Sequence, residues 1–202
     1  MSGERGRPRS FDTDVALARA TEVFWRHGYE GASLTHLTAA MGINRPSMYA
    51  AFGNKDELFR RVVARYAETD MAYAREALEQ PTARAVIAAF LHANVDALTR
   101  TDRPAGCLSI QGGLACATGN GGVAEFLAAS RLAGEARLAE RLARAVTEGD
   151  LPAGTDPAAL ARFVMAVSEG HAVHAAAGVD RAGLHASAEI ALQAVPHGAA
   201  RD

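Results

Sequence analysis

Two short stretches patterned for helix, residues 34–41 and 45–51, are separated only by Gly42-Ile43-Asn44. A helix of about two turns is marginal in water by itself, so each must pack on something else. Ser33 is placed to cap the first and Gly42 to end it, while Asn44 can cap the second, whose Pro46 falls in the first turn where a missing N–H costs nothing. A connection this short forces the helices to cross steeply. The third partner is residues 13–27, with Asp12 or Thr13 as N-cap, Gly28 as stop, and Leu17, Ala20, Val23 and Phe24 as inner face. Leu34, Leu37, Ala40, Ile43, Met48 and Phe52 then close a small core against it. Arg45, Pro46, Ser47, Tyr49 and Ala50 are left facing outward.

The rest of the chain is also helical in pattern. Ala, Leu, Arg and Glu dominate, apolar residues recur at three and four, and alternating β-branched runs are absent. Beyond the first three helices we expect 55–78, one from Pro81 to about 99, then 107–116, 123–148, 157–177 and 180–195. The fold class is therefore all-α with about nine helices. The expected division is a flexible basic arm (1–10), a helix-turn-helix head (11–55), a helical body (56–196) and a frayed tail (197–202).

The net charge of −2 hides an asymmetry. Residues 1–66 hold ten Lys or Arg against seven Asp or Glu, a surplus of three, which leaves a deficit of five in the remainder. A basic head on an acidic body suits a chain whose one end meets a polyanion. Although 49% of residues are apolar, no run approaches the roughly 18 to 20 that a membrane span needs. With a polar, basic N-terminus in place of a signal, we expect a cytoplasmic protein with no membrane contact. The two cysteines, Cys107 and Cys116, are expected to be reduced thiols.

Residues 16–24 (ALARATEVF), 28–34 (GYEGASL), 40–49 (AMGINRPSMY) and 52–58 (FGNKDEL) closely resemble the N-terminal pattern of the TetR/AcrR transcription regulators. The resemblance implies a three-helix DNA-binding head, a helical body that binds a small molecule, and a homodimer built on the last two helices. It implies repression relieved by that molecule. Many members carry a His-Tyr pair after the recognition-helix tyrosine, and that His often holds a phosphate. This chain has Ala50-Ala51 there.

Arg45 is the candidate base reader, because a guanidinium can bond guanine O6 and N7 together; a phosphate contact is its alternative. Pro46, Ser47 and Ala50 lie on the same outward face. The resemblance assigns Tyr49 to a phosphate, against packing on the head. Lys55, the one lysine of the chain, stands at a helix N-terminus, which already favours an anion. Ser33, Thr35 and the arm residues Arg7 and Arg9 are further phosphate or minor-groove candidates, the arm's alternative being a solubilising tail.

In the body, Phe90, Asn94, Cys107, Gln111, Phe126, Phe163 and His171 are candidate pocket lining, against plain core packing. Phe163, Val167, Gly170, His174, Ala177, Leu184, Ala188 and Ala191 are the expected dimer face, packing as a four-helix bundle. His171 and His174 are spaced for a metal but lack a third ligand, so no metal or other cofactor is expected. Residues 104–108 also resemble a subset of these regulators, with Cys107 as a thiol sensor of oxidants or electrophiles; a buried, inert thiol is the alternative. No nucleophile with a base, paired carboxylates or phosphate loop supports a helical enzyme. The expected partners are operator DNA, a small effector and a second copy of the chain.

Overall fold

The computed structural model describes residues 11–114 and 121–196, so Arg7, Arg9, Cys116 and the tail fall outside the described residues. Ten helices are present among them: α1 (Thr13–Gly31), α2 (Leu34–Met41), α3 (Arg45–Phe52), α4 (Lys55–Thr69), α5 (Ala72–Leu78), α6 (Ala83–Leu98), α7 (Leu108–Leu114), α8 (Gly121–Thr147), α9 (Pro157–Ala176) and α10 (Arg181–Gln193).

Short polar side chains set most of the boundaries. Asp12 accepts from the backbone N–H groups of Asp14 (2.8 Å) and Val15 (3.1 Å), Ser33 from His36 (3.1 Å) and Asn44 from Ser47 (2.9 Å). Asn54 and Glu57 form a reciprocal capping box at α4, with bonds of 2.9 and 2.8 Å. Gly42 closes α2 in the left-handed region (φ 69°), its N–H bonded to Ala39 O while Ile43 N–H reaches back to Thr38 O.

Two boundaries differ from expectation by more than two residues. Gly28 does break the first helix (φ 65°), but the helix resumes and runs on to Gly31. The expected single helix 55–78 is two, parted at Asp70 and Met71, which makes ten helices instead of nine. Asp70 is ion-paired with Arg103 of the α6–α7 connection, a partner distant in sequence that holds the break in place.

Two cores organise the packing. The first joins Phe24 and Trp25 of α1, Leu37 and Met48 of the short pair, and Phe59 and Tyr66 of α4 to Leu108 of α7, Leu127 of α8 and Ala172 of α9. The second lies farther from the head and joins α5, α6, α8, α9 and α10 through Ile87, Leu91, Leu142, Val164 and Leu192. Buried Arg141 of α8 ties the second core, donating to Leu78 O (3.1 Å) and Gln80 O (2.7 Å) at the end of α5. Asp150 accepts from Ala83 N–H (2.5 Å), and Arg84 donates to Leu192 O (2.7 Å). The α6–α10 contact is further held by His185 on Asp96 (2.8 Å) and His92 on Glu189 (3.0 Å).

A Cβ at Gly42 would face both a left-handed backbone and Arg19 Nη1 at 3.3 Å. Gly42→Ala is therefore expected to destabilise the protein by about 1–2 kcal/mol, read as a lower urea midpoint with unchanged slope.

Candidate nucleic-acid interface and interior cavity

The α2–α3 pair presents a polar face. Leu37, Met41, Met48, Ala51 and Phe52 are buried, while Ser33, Thr35, Arg45, Pro46, Tyr49 and Ala50 are exposed and Ser47 is half-buried. Every described residue proposed from sequence for this face is thus exposed or half-buried. Arg45 is not a free side chain: its Nη2 donates to Thr35 Oγ1 at 3.0 Å. Ser33 has its oxygen engaged as the α2 cap, which leaves its hydroxyl hydrogen for an outside acceptor. Ala50 offers that face only a methyl group.

Lys55 is held more tightly than sequence suggests. Its Nζ lies 4.4 Å from the ring centroid of Tyr29, whose hydroxyl donates to Asp56. Burial lowers the ammonium pKa, with nearby Glu30 opposing the shift. The cation therefore sits partly desolvated at the α4 N-terminus, where the helix dipole adds to its attraction for an anion.

Between the α4–α5 side and α8–α9 lies a cavity of about 430 Å³, within the range of small-molecule sites. Phe90, Asn94 and Cys107 line it as expected. Its wall also includes Met71, Leu138, Met165 and Ser168, with Glu68, Arg75, Arg131, Arg137 and Glu169 supplying charge. Burial raises the Glu169 carboxyl pKa, which Arg131 at 3.8 Å opposes and Glu135 reinforces. Asn94 donates to Tyr73 Oη at 2.9 Å, and its own Oδ1 is buried without a hydrogen-bond partner among the described residues.

Four expected lining residues are elsewhere. Gln111 points to α1, accepting from Trp25 Nε1–H at 3.0 Å and donating to Ala105 O at 3.3 Å. Phe126 packs beneath the Arg60 guanidinium, and Phe163 is 40% exposed on the outer side of α9. His171 is buried and bonded to Ser187 Oγ at 3.1 Å. Burial, and then the charges of His174 and His185, depress its pKa.

Trp25 and Tyr66 were not singled out from sequence, although a lone tryptophan amid so many alanines was the available signal. Their rings meet edge to face at 5.1 Å. Tyr66 Oη donates to Cys107 Sγ at 3.5 Å. Burial first, and then Cys107, pushes the Tyr66 pKa well above its ordinary range, so the hydroxyl keeps its proton. Cys107 is itself buried. A sensing thiol needs an accessible, electropositive setting, so this geometry disfavours the thiol-sensor alternative.

On the last two helices, Leu184, Ala188 and Ala191 are corrected from dimer face to interior, since all three are buried within the subunit's own cores. The outward apolar residues are Phe163, Val173 and Ile190, with Ile190 68% exposed. His174 and Ala177 are also exposed, and Val167 and Gly170 are partly so.

The sequence pattern of bacterial regulatory proteins of the tetR family matches residues 16–62, and that of the tetracyclin repressor-like C-terminal domain matches residues 81–189. The chain belongs to the TetR family. This TetR-family regulator of transcription is 34% identical over 176 residues to the HTH-type transcriptional repressor ComR of Escherichia coli K12, covering 86% of this chain and 84% of ComR. It superposes with a TM-score of 0.90 on a cysteine mutant of the TetR-family regulator CifR complexed with 26 bp of double-stranded operator DNA. That pair is 43% identical, covering 94% of this chain and all of the CifR chain. A putative TetR regulator from Rhodococcus sp. RHA1 is 44% identical, with a TM-score of 0.63 and coverage of 93% of this chain and all of that one. Among the described residues, no helix is long and apolar enough to cross a membrane, and no group of three or more His, Cys, Asp or Glu is arranged to hold a metal ion.

The neutral His171 ring stabilises the fold in full above its unfolded pKa near 6.5. That contribution is lost as pH falls from there toward the lower folded-state value. Thermal unfolding of the regulator from pH 7.5 to 5 should show Tm falling, with a shallower fall in His171→Asn. An equally steep fall in that variant would place the titration elsewhere.

Proposed function

We propose that this regulator is a homodimeric repressor that binds a palindromic operator through α2 and α3 and is released by a small molecule held in the cavity. Residues 11–55 serve DNA binding, and residues 56–196 serve effector binding and dimerisation. The observation that carries the reading is the shared wall between cavity and head: Cys107 lines the cavity and is bonded by Tyr66, which packs on Trp25 of α1. Operator DNA in the CifR complex and repression in ComR support it. Action in the cytoplasm, where bacterial DNA lies, and a regulatory rather than catalytic role are part of this reading.

The exposed apolar residues Phe163, Val173 and Ile190 pair with their copies in a four-helix bundle, with His174, Ala177, Val167 and Gly170 alongside. Such an isologous contact sets two recognition helices a whole number of duplex turns apart, hence the palindrome. An effector that prefers the non-binding arrangement by a few kcal/mol is enough to empty the operator. Filling the cavity displaces Cys107 and Tyr66, and Trp25 with its Gln111 bond transmits the shift to α1.

The DNA contacts separate by role. On a duplex selected by the wild-type protein from a randomised pool, Arg45→Ala should lose about 1–3 kcal/mol of discrimination at one base pair per half-site. Lys55→Ala should weaken all duplexes alike and flatten the salt dependence by about one unit of slope. Reversed outcomes would exchange the two assignments; no selectable duplex at all would sink the reading.

Coupling is testable without knowing the effector. Ser168→Phe fills the cavity and should reduce operator affinity about tenfold, or roughly 1.4 kcal/mol. Adding Gln111→Leu should restore much of that loss by cutting the link to Trp25. Simple additivity of the two changes would show that the route does not run through Gln111.

A further inference from the structure

We infer that Thr35 is the positioning residue for Arg45, so that one base-reading unit is built from both short helices. The inference rests on the operator-binding reading above and specifies how discrimination is achieved within it. Arg45 begins α3 at the edge of the head, and among the described residues no carboxylate pairs with it. A long guanidinium side chain in that position would sample many rotamers, and ordering it on DNA would cost side-chain entropy. The Thr35 hydroxyl removes part of that freedom in advance by accepting from Arg45 Nη2 at 3.0 Å.

Each supporting element is itself fixed. Thr35 occupies the first turn of α2, whose start is held by the Ser33 cap. Thr38 Oγ1 binds Leu34 O at 2.8 Å, tying its side chain to that first turn. The left-handed Gly42 and the Asn44 cap set the angle at which α3 leaves α2. The backbone positions from which the Arg45 and Thr35 side chains extend are thus set on both sides.

The chemistry of the bond leaves both residues able to act. A guanidinium has five N–H donors, and one bond to Thr35 leaves a full edge for the two acceptors of guanine. A threonine hydroxyl that accepts from Arg45 keeps its own hydrogen to donate, and the nearest anionic acceptor at a DNA surface is a backbone phosphate. Thr35 is therefore placed to read the position of the backbone and the orientation of the arginine through one oxygen. This gives Thr35 a part in specificity that a plain phosphate contact does not have.

Thr35→Val removes the hydroxyl and keeps the shape, while Thr35→Ser keeps the hydroxyl. Both are measured by competition binding to the duplex selected by wild-type protein and to its single-base variants. Thr35→Val should lose about fivefold discrimination, and only at the base pair where Arg45→Ala also loses it, with Thr35→Ser within about twofold of wild type. Nitrogen relaxation of the Arg45 Nε–H in the free protein supplies a readout that needs no DNA: restricted motion in wild type and Thr35→Ser, and faster motion in Thr35→Val. Uniform weakening on every duplex, or Arg45 motion unchanged by Thr35→Val, would overturn the inference. Should Thr35→Val not fold, Thr35→Ala replaces it with the same expectations. Restricted Arg45 motion in a protein that selects no duplex would overturn the operator-binding reading and leave the Arg45–Thr35 contact standing.

Discussion

Packing of Trp25 against Tyr66 makes the head and the body one mechanical object. The indole is bounded by Tyr66 at 5.1 Å and by the Gln111 carboxamide at 3.0 Å. Neither partner belongs to the three-helix head. A head of three short helices has little interior of its own, and much of what it buries is supplied by α4 and α7. The dependence is mutual, because Tyr66 turns its hydroxyl to Cys107 at the cavity wall. A buried aromatic pair of this kind is worth about 0.5–1.5 kcal/mol beyond its area, and here it also fixes the angle between two functional regions.

The arrangement explains why a cavity can exist beside the head without weakening it. Its lining includes many small residues, among them Ala64, Ala67, Ala74, Gly134 and Ala172, so the helices approach closely while leaving a space that their side chains do not fill. Charged groups on the same wall, such as Glu169 with Arg131 at 3.8 Å, are only loosely paired. Loosely paired charge beside an apolar space leaves polar capacity for an occupant.

Local chemistry was legible in the sequence, and distant partners were not. Asp12, Ser33 and Asn44 cap the helices they were expected to cap, because capping depends on residues two or three positions away. The outward face of α2 and α3 was legible for the same reason, since periodicity and one tight turn determine it. The Asp70 break was hidden, and the ion-pair partner beside it, Arg103, lies some thirty residues further on. Periodicity identified Leu184, Ala188 and Ala191 as an apolar stripe but could not say whether its partner was α6 or another subunit. Gln111 and Phe126 failed as pocket residues in the same way: their polarity and size were visible, and their direction was a tertiary fact.

The two cores differ in how firmly they are held, and the difference bears on where a cavity occupant would act. Phe90 and Leu138 of the lining belong to the second core, whose helix ends are tied by Arg141, Asp150 and Arg84 to backbone groups. Cys107, Ile110 and Ala172 belong to the first, where the contacts nearest the cavity are the long Tyr66–Cys107 bond, the neutral Trp25–Gln111 bond and ring packing. Pressure from within the cavity meets charge-assisted bonds to backbone groups on one side and softer contacts on the other. The softer side is the one continuous with Trp25. On the proposed mechanism, displacement is thus directed toward the head by the stiffness of the opposite wall. The break at Asp70 between α4 and α5 then lets α4 move while Arg141 keeps the end of α5 in place.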